Sequence, residues 1–367
     1  MVKHRFEILD LIRGLAALLV MMGHLRGIFF VPFNELPEAT PIMRVFYFFT
    51  GYGHQCVIIF FVLSGFFVGA AYHQSFNPRS IGSGLKKYGI NRMARLWTVL
   101  VPALALTWGL DLLGLYLSHS EAYTTSDFFP YIPLTNDRTA VTFAGNLFFL
   151  QTLLVPTFGT NGPLWSLANE FWYYLVFPAL YILFVKGIAA TNRVMALVIV
   201  AGVIIFLYFL NVSFLEGLLI WLMGFGASLV IRRIPNLLKL FGLGFFGLIF
   251  VVVRIGQFPY QDIMLGLATV ALIISVKDMG AIWLERTAGF LSRISYTLYL
   301  VHLPMIVFIK SIFFEDVRMG GGILSLIKFG LLATLVTAIS YCVYWLFERN
   351  TDIVKERMKR LIVTDPR

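Results

Sequence analysis

Stretches of apolar residues recur along the whole chain, and shorter polar segments separate them. An α-helix needs about 20 mostly apolar residues to cross the hydrocarbon core of a membrane, and most of these stretches approach that length. Strands of a membrane barrel alternate apolar and polar positions over about ten residues, a pattern that the stretches lack. The pattern predicts ten transmembrane helices, near residues 8–30, 56–74, 96–117, 167–186, 194–211, 213–231, 240–254, 262–277, 295–314 and 324–346.

Three of the polar segments are long, and we expect them to form connections: residues 31–55, 75–95 and 118–166. Segment 75–95 is basic and has no acidic residue. Segment 118–166 contains a short apolar piece, FAGNLFFLQTLLV, that could form a re-entrant or interfacial helix.

Composition excludes a soluble protein. Hydrophobic residues make up 59% of the 367 residues and charged residues 13%, with a mean hydropathy of +0.83. Soluble domains carry about 25% charged residues. We therefore predict an all-α polytopic membrane protein, in which residues 1–349 form the membrane-embedded domain and residues 350–367 a short basic cytoplasmic tail.

The distribution of basic residues predicts the orientation. If both termini are cytoplasmic, that side receives 21 of the lysines and arginines, which satisfies the positive-inside rule. The net charge of +10 then indicates topology and contact with membrane lipids, and no nucleic-acid binding. The first stretch resembles a signal peptide, but the arginine inside it and the lack of a clear cleavage site predict that it is retained as a span. The opposite side receives seven basic residues: Arg26, Arg44, Arg138, Arg254, Lys310, Arg318 and Lys328.

The first predicted helix carries an arginine and a histidine within apolar sequence, and such residues are rare in membrane helices. Arg13 and His24 are 11 residues apart, which places them within about 20° of one another and about 16 Å apart along the axis. Asp10 lies one turn before Arg13 and can neutralise it. A snorkelling or Asp10-paired arginine and a histidine in an interhelical hydrogen bond would explain each residue singly. Together they suggest a polar path through the membrane.

Polar residues in two other stretches can be explained either by a structural role or by a direct role in function. Arg92 and Arg95, in NRMARLW, share a helix face, and they could anchor the helix at the cytoplasmic surface or hold a phosphorylated ligand. Ser64 and Gly65, in FFVLSGFF, favour close helix packing. No general base lies near Ser64 in the sequence, so we do not predict it as a nucleophile.

The remaining candidates lie in the fourth and ninth predicted helices. A carboxylate such as that of Glu170, in LWSLANEFWYYLVFP, is energetically costly next to aromatic residues in a membrane helix unless it caps the helix or partners a cation or histidine. Trp165, in the same stretch, fits an interfacial aromatic belt. Ser295, Tyr299 and His302, in SYTLYLVH, share one face, and packing with a hydrogen bond is as good an explanation as direct function.

The sequence lacks the motifs of many common enzymes. Metal-ligand spacing, a nucleotide-binding glycine loop and a Gly-x-Ser-x-Gly elbow do not occur. Cys56 and Cys342 both lie in apolar stretches and are predicted to be buried thiols without a disulfide or metal.

Taken in order, these segments resemble the acyltransferase-3 family of integral membrane acyltransferases. The resemblance includes DLIRG through His24, FFVLSGFF, the RMAR arginine pair, LWSLANEFWYYLVFP, SYTLYLVH and WLFERN, over residues 8 to about 349. LANE stands where many members have LSVE, which keeps the glutamate. Some members add an extracytoplasmic SGNH-type domain, which this sequence lacks, so we expect it to act alone or with a separate partner.

The resemblance implies transfer of an acyl group, usually acetyl, from cytoplasmic acyl-CoA to a hydroxyl of a cell-surface or lipid-linked glycan, in a bacterial inner membrane. It implies that Arg13 and His24 are essential and that Arg92 and Arg95 form the cytoplasmic arginine pair. We expect the three arginines to hold the acyl-CoA phosphates and His24 to act as general base, with Glu170 orienting its ring.

Three alternatives remain open. The acyl group could pass through a covalent acyl-histidine. The acceptor could be a small molecule or a lipid headgroup. The chain could also be a transporter of a lipid-linked sugar without chemistry, although it lacks the internal repeat of many transporters.

Overall fold

The fold is a set of apolar helices joined by short connections. The computed structural model describes residues 6–118, 120–124, 134–210, 213–230, 234–279, 285–314 and 317–362. Its helices are α1 (Glu7–Phe29), α2 (Pro41–Phe49), α3 (Gly53–Ser75), α4 (Ile81–Leu117), α5 (Ala140–Leu147), α6 (Leu164–Phe184), α7 (Ala190–Leu210), α8 (Ser213–Ser228), α9 (Asn236–Ile255), α10 (Gln261–Val276), α11 (Glu285–Phe313), α12 (Ile323–Leu346) and α13 (Thr351–Ile362).

The helices confirm an integral, multi-pass, all-α membrane protein. Seven helical stretches in the described residues are long and apolar enough to cross a membrane, and three shorter apolar helices accompany them. Each of the ten predicted spans coincides with one of α1, α3, α4, α6, α7, α8, α9, α10, α11 and α12. The cytoplasmic placement of both termini stays a prediction.

Two predicted connections contain helix. Segment 75–95 was expected to connect spans, but α4 begins at Ile81 and carries Lys86, Lys87, Arg92 and Arg95 within it. Hydropathy shows only which residues enter lipid, whereas lysine, arginine and leucine are good helix formers in any solvent. Segment 31–55 contains α2, which begins after Thr40, whose hydroxyl accepts a hydrogen bond from the Met43 N–H at 3.4 Å.

The apolar piece of segment 118–166 is helical only in its first part. Helix α5 is capped by Thr139, and Phe149, with a φ of 59°, lies in the turn that follows it. The backbone N–H of Thr139 donates to the Asp137 carboxylate at 2.9 Å, and this hydrogen bond holds the pKa of that carboxyl below its usual value. Residues 119 and 125–133 of the segment lie outside the described residues, as do 1–5, 231–233 and 363–367, which hold some of the basic residues used to predict the orientation.

The chain divides into two compact units, and α3 and α4 contribute residues to both. In the first unit (Met1–Val57, Val99–Trp165 and Gly280–Arg349), α1 packs along α11, and α12 packs on α11. A Cβ added at Gly14 of α1 would lie 2.4 Å from the Cβ of Leu291, so only glycine allows this close approach.

In the second unit (Ile58–Thr98, Ser166–Met279 and Asn350–Arg367), α10 packs against α8 and α9, and α7 contacts α8. Helices α3 and α8 touch through their backbones, because a Cβ at Gly65 would lie 1.8 Å from the Trp221 carbonyl oxygen and one at Gly224 would lie 1.9 Å from that of Val62. The close packing expected of Gly65 is therefore present. Cys56 and Cys342 are free thiols, but only Cys56 is buried; Cys342 is exposed on α12, where an apolar residue can face lipid.

We expect Gly224→Ala to lower the stability of the protein by about 1–3 kcal/mol, the usual cost of forcing an extra carbon into a packed site. Gly226→Ala, on the same helix, is the matched control, since a Cβ there meets nothing within 4 Å. The midpoint of thermal unfolding in detergent measures both. Equal midpoints for the two variants would contradict the backbone contact between α3 and α8.

Candidate functional site

The first unit places Arg13 in a polar cluster between α1 and α11. The guanidinium donates to the Asp10 carboxylate at 3.1 Å and also to the hydroxyl of Ser292 on α11. The Ser292 hydroxyl donates to the same Asp10 oxygen at 2.6 Å. The Asp10–Arg13 pairing predicted from the sequence is thus present, and Ser292, which the sequence did not single out, joins it to α11.

His24 pairs with a second histidine on α11. Its Nδ1 lies 2.7 Å from Nε2 of His302, and the Nδ1 of His302 lies 2.9 Å from the carbonyl oxygen of Leu298. Because a carbonyl oxygen only accepts, Nδ1 of His302 carries the proton, and Nε2 of the neutral ring accepts. His24 Nδ1–H is then the donor of the pair. Nε2 of His24 is left with the lone pair, which is the form of a base.

Arg13 and His24 share a face of α1, as the sequence predicted, and both side chains contact α11. The positions between them on that face are Ala17 and Val20, each 1% exposed. The face is therefore polar at two points and apolar between them, so α1 itself does not line a continuous polar path.

A buried polar network supports α11 next to His302. Pro304 has no N–H to donate to the Leu300 carbonyl, and the Asn161 amide donates to that carbonyl instead, at 2.9 Å. The same amide donates to the Thr107 hydroxyl on α4 at 3.0 Å. The sequence did not indicate Asn161, because polar residues are common in connections between helices and because the residues that it contacts are far from it in the chain.

A second salt bridge holds the connection after α4 in place. Asp111, which is fully buried, accepts from Arg138 at 3.2 Å and from the Thr160 hydroxyl at 2.6 Å. Burying a charge is tolerated when it is paired and hydrogen-bonded, as here. Arg138, counted above only as an outer basic residue, therefore has a structural role.

The second unit brings Ser64 and Glu170 together. The Ser64 hydroxyl donates to Oε1 of Glu170 at 2.5 Å, and the Tyr174 hydroxyl donates to the same oxygen at 2.5 Å. The indole N–H of Trp221 donates to Ser64 Oγ at 3.1 Å. Tyr174 and Trp221 are buried, whereas Ser64 and Glu170 keep some accessible surface. A carboxylate that accepts from Ser64, which the sequence did not reveal, is therefore present in space.

Arg92 lies against aromatic rings on the wall of a cavity. Its guanidinium is 6.0 Å from the ring centroid of Tyr88 and 5.8 Å from that of Tyr174, and its buried Nε has no hydrogen-bond partner among the described residues. The cavity, of about 230 Å³, lies between α4, α6 and α7, and its walls are mostly apolar, with polar groups on Arg92, Asn192, Tyr88 and Tyr174. The Tyr88 hydroxyl donates at 3.2 Å to the Tyr174 carbonyl, which Pro178 leaves without its helical partner.

The other predicted residues occupy less specific positions. Arg95 follows Arg92 by three residues on α4 and is half-buried. Trp165 lies partly exposed in the first turn of α6. Tyr299 is buried, with its ring centroid 6.0 Å from that of His302. In the described ranges, no group of three or more His, Cys, Asp or Glu side chains could hold a metal ion.

Comparison with known proteins identifies the family. The sequence model of the acyltransferase-3 family, described as an acyltransferase domain, matches residues 6–345, nearly the whole chain. No curated protein and no solved structure matches the chain. The chain therefore belongs to the acyltransferase-3 family and is a membrane-embedded enzyme that transfers acyl groups.

Proposed function

We propose that this acyltransferase moves an acyl group, acetyl by expectation, from acyl-CoA on the cytoplasmic side of a bacterial inner membrane to a hydroxyl of a cell-surface or lipid-linked glycan. The family match supports acyl transfer. The observation that carries the mechanism is the pair of contacts of His302, 2.7 Å from Nδ1 of His24 and 2.9 Å from the Leu298 carbonyl oxygen, which assigns the lone pair of His24 to Nε2.

His24 is the general base in this proposal. Its Nε2 takes the proton of the acceptor hydroxyl while the hydroxyl oxygen attacks the thioester carbonyl, and CoA leaves as the thiol once it has gained a proton. His302 accepts from Nδ1 of His24 and stabilises the ring as it becomes positive, as the carboxylate of a catalytic triad does. A positioned histidine base contributes about 10²–10⁴-fold to such a rate.

The orienting role expected of Glu170 passes to His302 in this proposal. Nδ1 of His24 already has its partner in His302, and the Glu170 carboxylate accepts from Ser64 and Tyr174. His302 was predicted as a polar residue whose role could be structural, and its contact with His24 now gives it a specific task.

Arg92, with Arg95, is proposed to bind the phosphates of acyl-CoA. A guanidinium is a strong partner for phosphate oxygens, and the Nε of Arg92 has a hydrogen to donate. Arg13 adds a third cation in the other unit, but its pairing with Asp10 makes it a weaker phosphate partner than Arg92.

We expect His302→Leu to lower kcat about 10- to 100-fold with little change in KM, because the charged form of His24 loses a hydrogen bond worth about 1.5–3 kcal/mol. His302→Gln should recover most of the rate, since its amide oxygen can lie near the position of Nε2. Steady-state kinetics on both variants measure the effect. If His302 only packs α1 against α11, the two variants should lose activity together with protein yield, which would contradict the proposed role.

The proposal is tested on cells with and without this protein, by mass spectrometry of their surface glycans. An alkali-labile acyl mass that requires the protein is the expected result. Acylation of a small molecule or lipid headgroup with unchanged glycans would assign a different acceptor. Altered export of a lipid-linked sugar without any acylated product would favour the transporter and contradict the proposal.

A further inference from the structure

The mechanism proposed above uses neither Ser64 nor Glu170, although a hydrogen bond joins their side chains between α3 and α6 in the second unit. Building on the proposed function, we infer that Ser64 is a nucleophile that receives the acyl group from the thioester and carries it as an oxygen ester. Glu170 is the base that activates it.

The geometry of the pair is that of a nucleophile and its base. Ser64 Oγ is 2.5 Å from Oε1 of Glu170, within the hydrogen-bond reach that proton transfer needs. The Trp221 N–H points at the same Oγ and can stabilise the negative charge that develops on it. The backbone contacts of Gly65 and Gly224 hold α3 on α8 and therefore keep Trp221 in register with Ser64.

Hydroxyls inside membrane helices usually donate to the carbonyl four residues earlier. Thr98, Thr269 and Ser340 follow that rule in this structure, at 2.5, 2.8 and 2.8 Å. Ser64 instead donates to a carboxylate on another helix, 106 residues away.

Exposure separates Ser64 from three other serine and threonine hydroxyls that donate to carboxylates in the described residues. Ser292 donates to Asp10, Thr297 to Glu348 and Thr160 to Asp111, and these three residues are 4%, 0% and 0% exposed. Ser64 keeps accessible surface, as does its base. Ser64 therefore keeps accessible surface that the other three hydroxyl residues lack.

The chemistry closes without any further reagent. Ser64 Oγ attacks the thioester carbonyl, its proton passes to Glu170, the C–S bond breaks, and the departing thiolate takes that proton to give CoA thiol. The acceptor hydroxyl then attacks the serine ester. As the C–Oγ bond breaks, Ser64 Oγ takes a proton from water, while the acceptor gives its proton to the general base, which then releases it to water. The direct attack of the acceptor on the thioester is thus replaced by two consecutive transfers, from CoA to Ser64 and from Ser64 to the acceptor.

The test uses the full chain in nanodiscs, labelled acetyl-CoA and no acceptor, with rapid quenching and peptide mass spectrometry. Without an acceptor the ester cannot be discharged by transfer, so we expect label to accumulate on Ser64 of the wild-type chain to nearly one acetyl per chain. The Ser64→Ala variant should lose that label. Glu170→Gln should slow labelling about 10²-fold or more. The control, Ser75→Ala on the same helix, should label as its parent does, because that hydroxyl donates only to its own helix.

Because Ser64→Ala could lose the label simply by misfolding, Ser64→Cys is a second test. Its thiol should accept the acetyl group as a thioester, which neutral hydroxylamine cleaves. Label on His24 of the wild-type chain with Ser64 unmodified would overturn the inference while leaving the proposed function intact. So would a folded Ser64→Ala variant that transfers at the wild-type rate. A wild-type chain that consumes no acetyl-CoA, with or without glycan acceptors, would instead contradict the proposed function itself.

Discussion

Replacing His24 with alanine should lower the rate of acyl transfer to the acceptor by about 10²–10⁴-fold, the contribution of a positioned general base. The reason is specific: alanine removes the Nε2 lone pair that the hydrogen bonds from His24 to His302 and from His302 to Leu298 leave available. Insertion and folding should persist, since most of the contact between α1 and α11 is made by apolar residues. Acceptor-dependent release of CoA thiol, measured at equal amounts of folded protein, gives the rate.

The matched control is His73→Ala, which removes a histidine whose Nδ1 is 2.7 Å from the Tyr181 hydroxyl in the second unit. It should retain the wild-type rate. A His24→Ala variant that transfers as fast as His73→Ala would end the assignment of the base.

Replacing Arg92 with glutamine should raise the KM for acyl-CoA about 10- to 100-fold and leave kcat nearly unchanged. A charge-assisted hydrogen bond contributes about 1.5–3 kcal/mol, and loss of one phosphate contact therefore gives a factor of this size. Arg92 is suited to this role because its guanidinium lies 5.8 and 6.0 Å from two aromatic ring centroids, and its buried Nε has no hydrogen-bond partner among the described residues. Initial rates at varied acetyl-CoA concentration separate the two constants.

Arg193→Gln controls for the general loss of positive charge, since this exposed arginine donates to the Val185 carbonyl at 3.0 Å and is not one of the residues that line the cavity. It should leave KM unchanged. A fall in kcat alone in Arg92→Gln would contradict donor binding at this position.

The sequence was sufficient for the spans because hydropathy and helix length depend on local residues. It misplaced the start of α4, since the segment from Ile81 to Arg95 is too polar to be predicted as a span and yet forms helix. It also left α2 and the first three residues of α5 unpredicted, because short helices are set by caps such as Thr40 and Thr139 more than by apolar length.

The candidate site was predictable only where its partners are close in sequence. Asp10 and Arg13 are one helical turn apart, and their pairing followed from that spacing. The pairs of His24 with His302 and of Ser64 with Glu170 join residues 278 and 106 positions apart. Helix periodicity gives the face on which each residue lies but does not identify the helix that packs against that face. The sequence hypothesis therefore paired Glu170 with His24, whereas in the structure Glu170 accepts from Ser64 and Tyr174.

The most direct test of the account measures acyl transfer by the purified wild-type chain in nanodiscs, with labelled acetyl-CoA as donor and an envelope glycan extract as acceptor. We expect CoA thiol and an alkali-labile glycan ester to appear in equal amounts. Release of CoA thiol without any labelled glycan would contradict the proposed acceptor. Absence of both products across donors of different chain length would contradict the account as a whole.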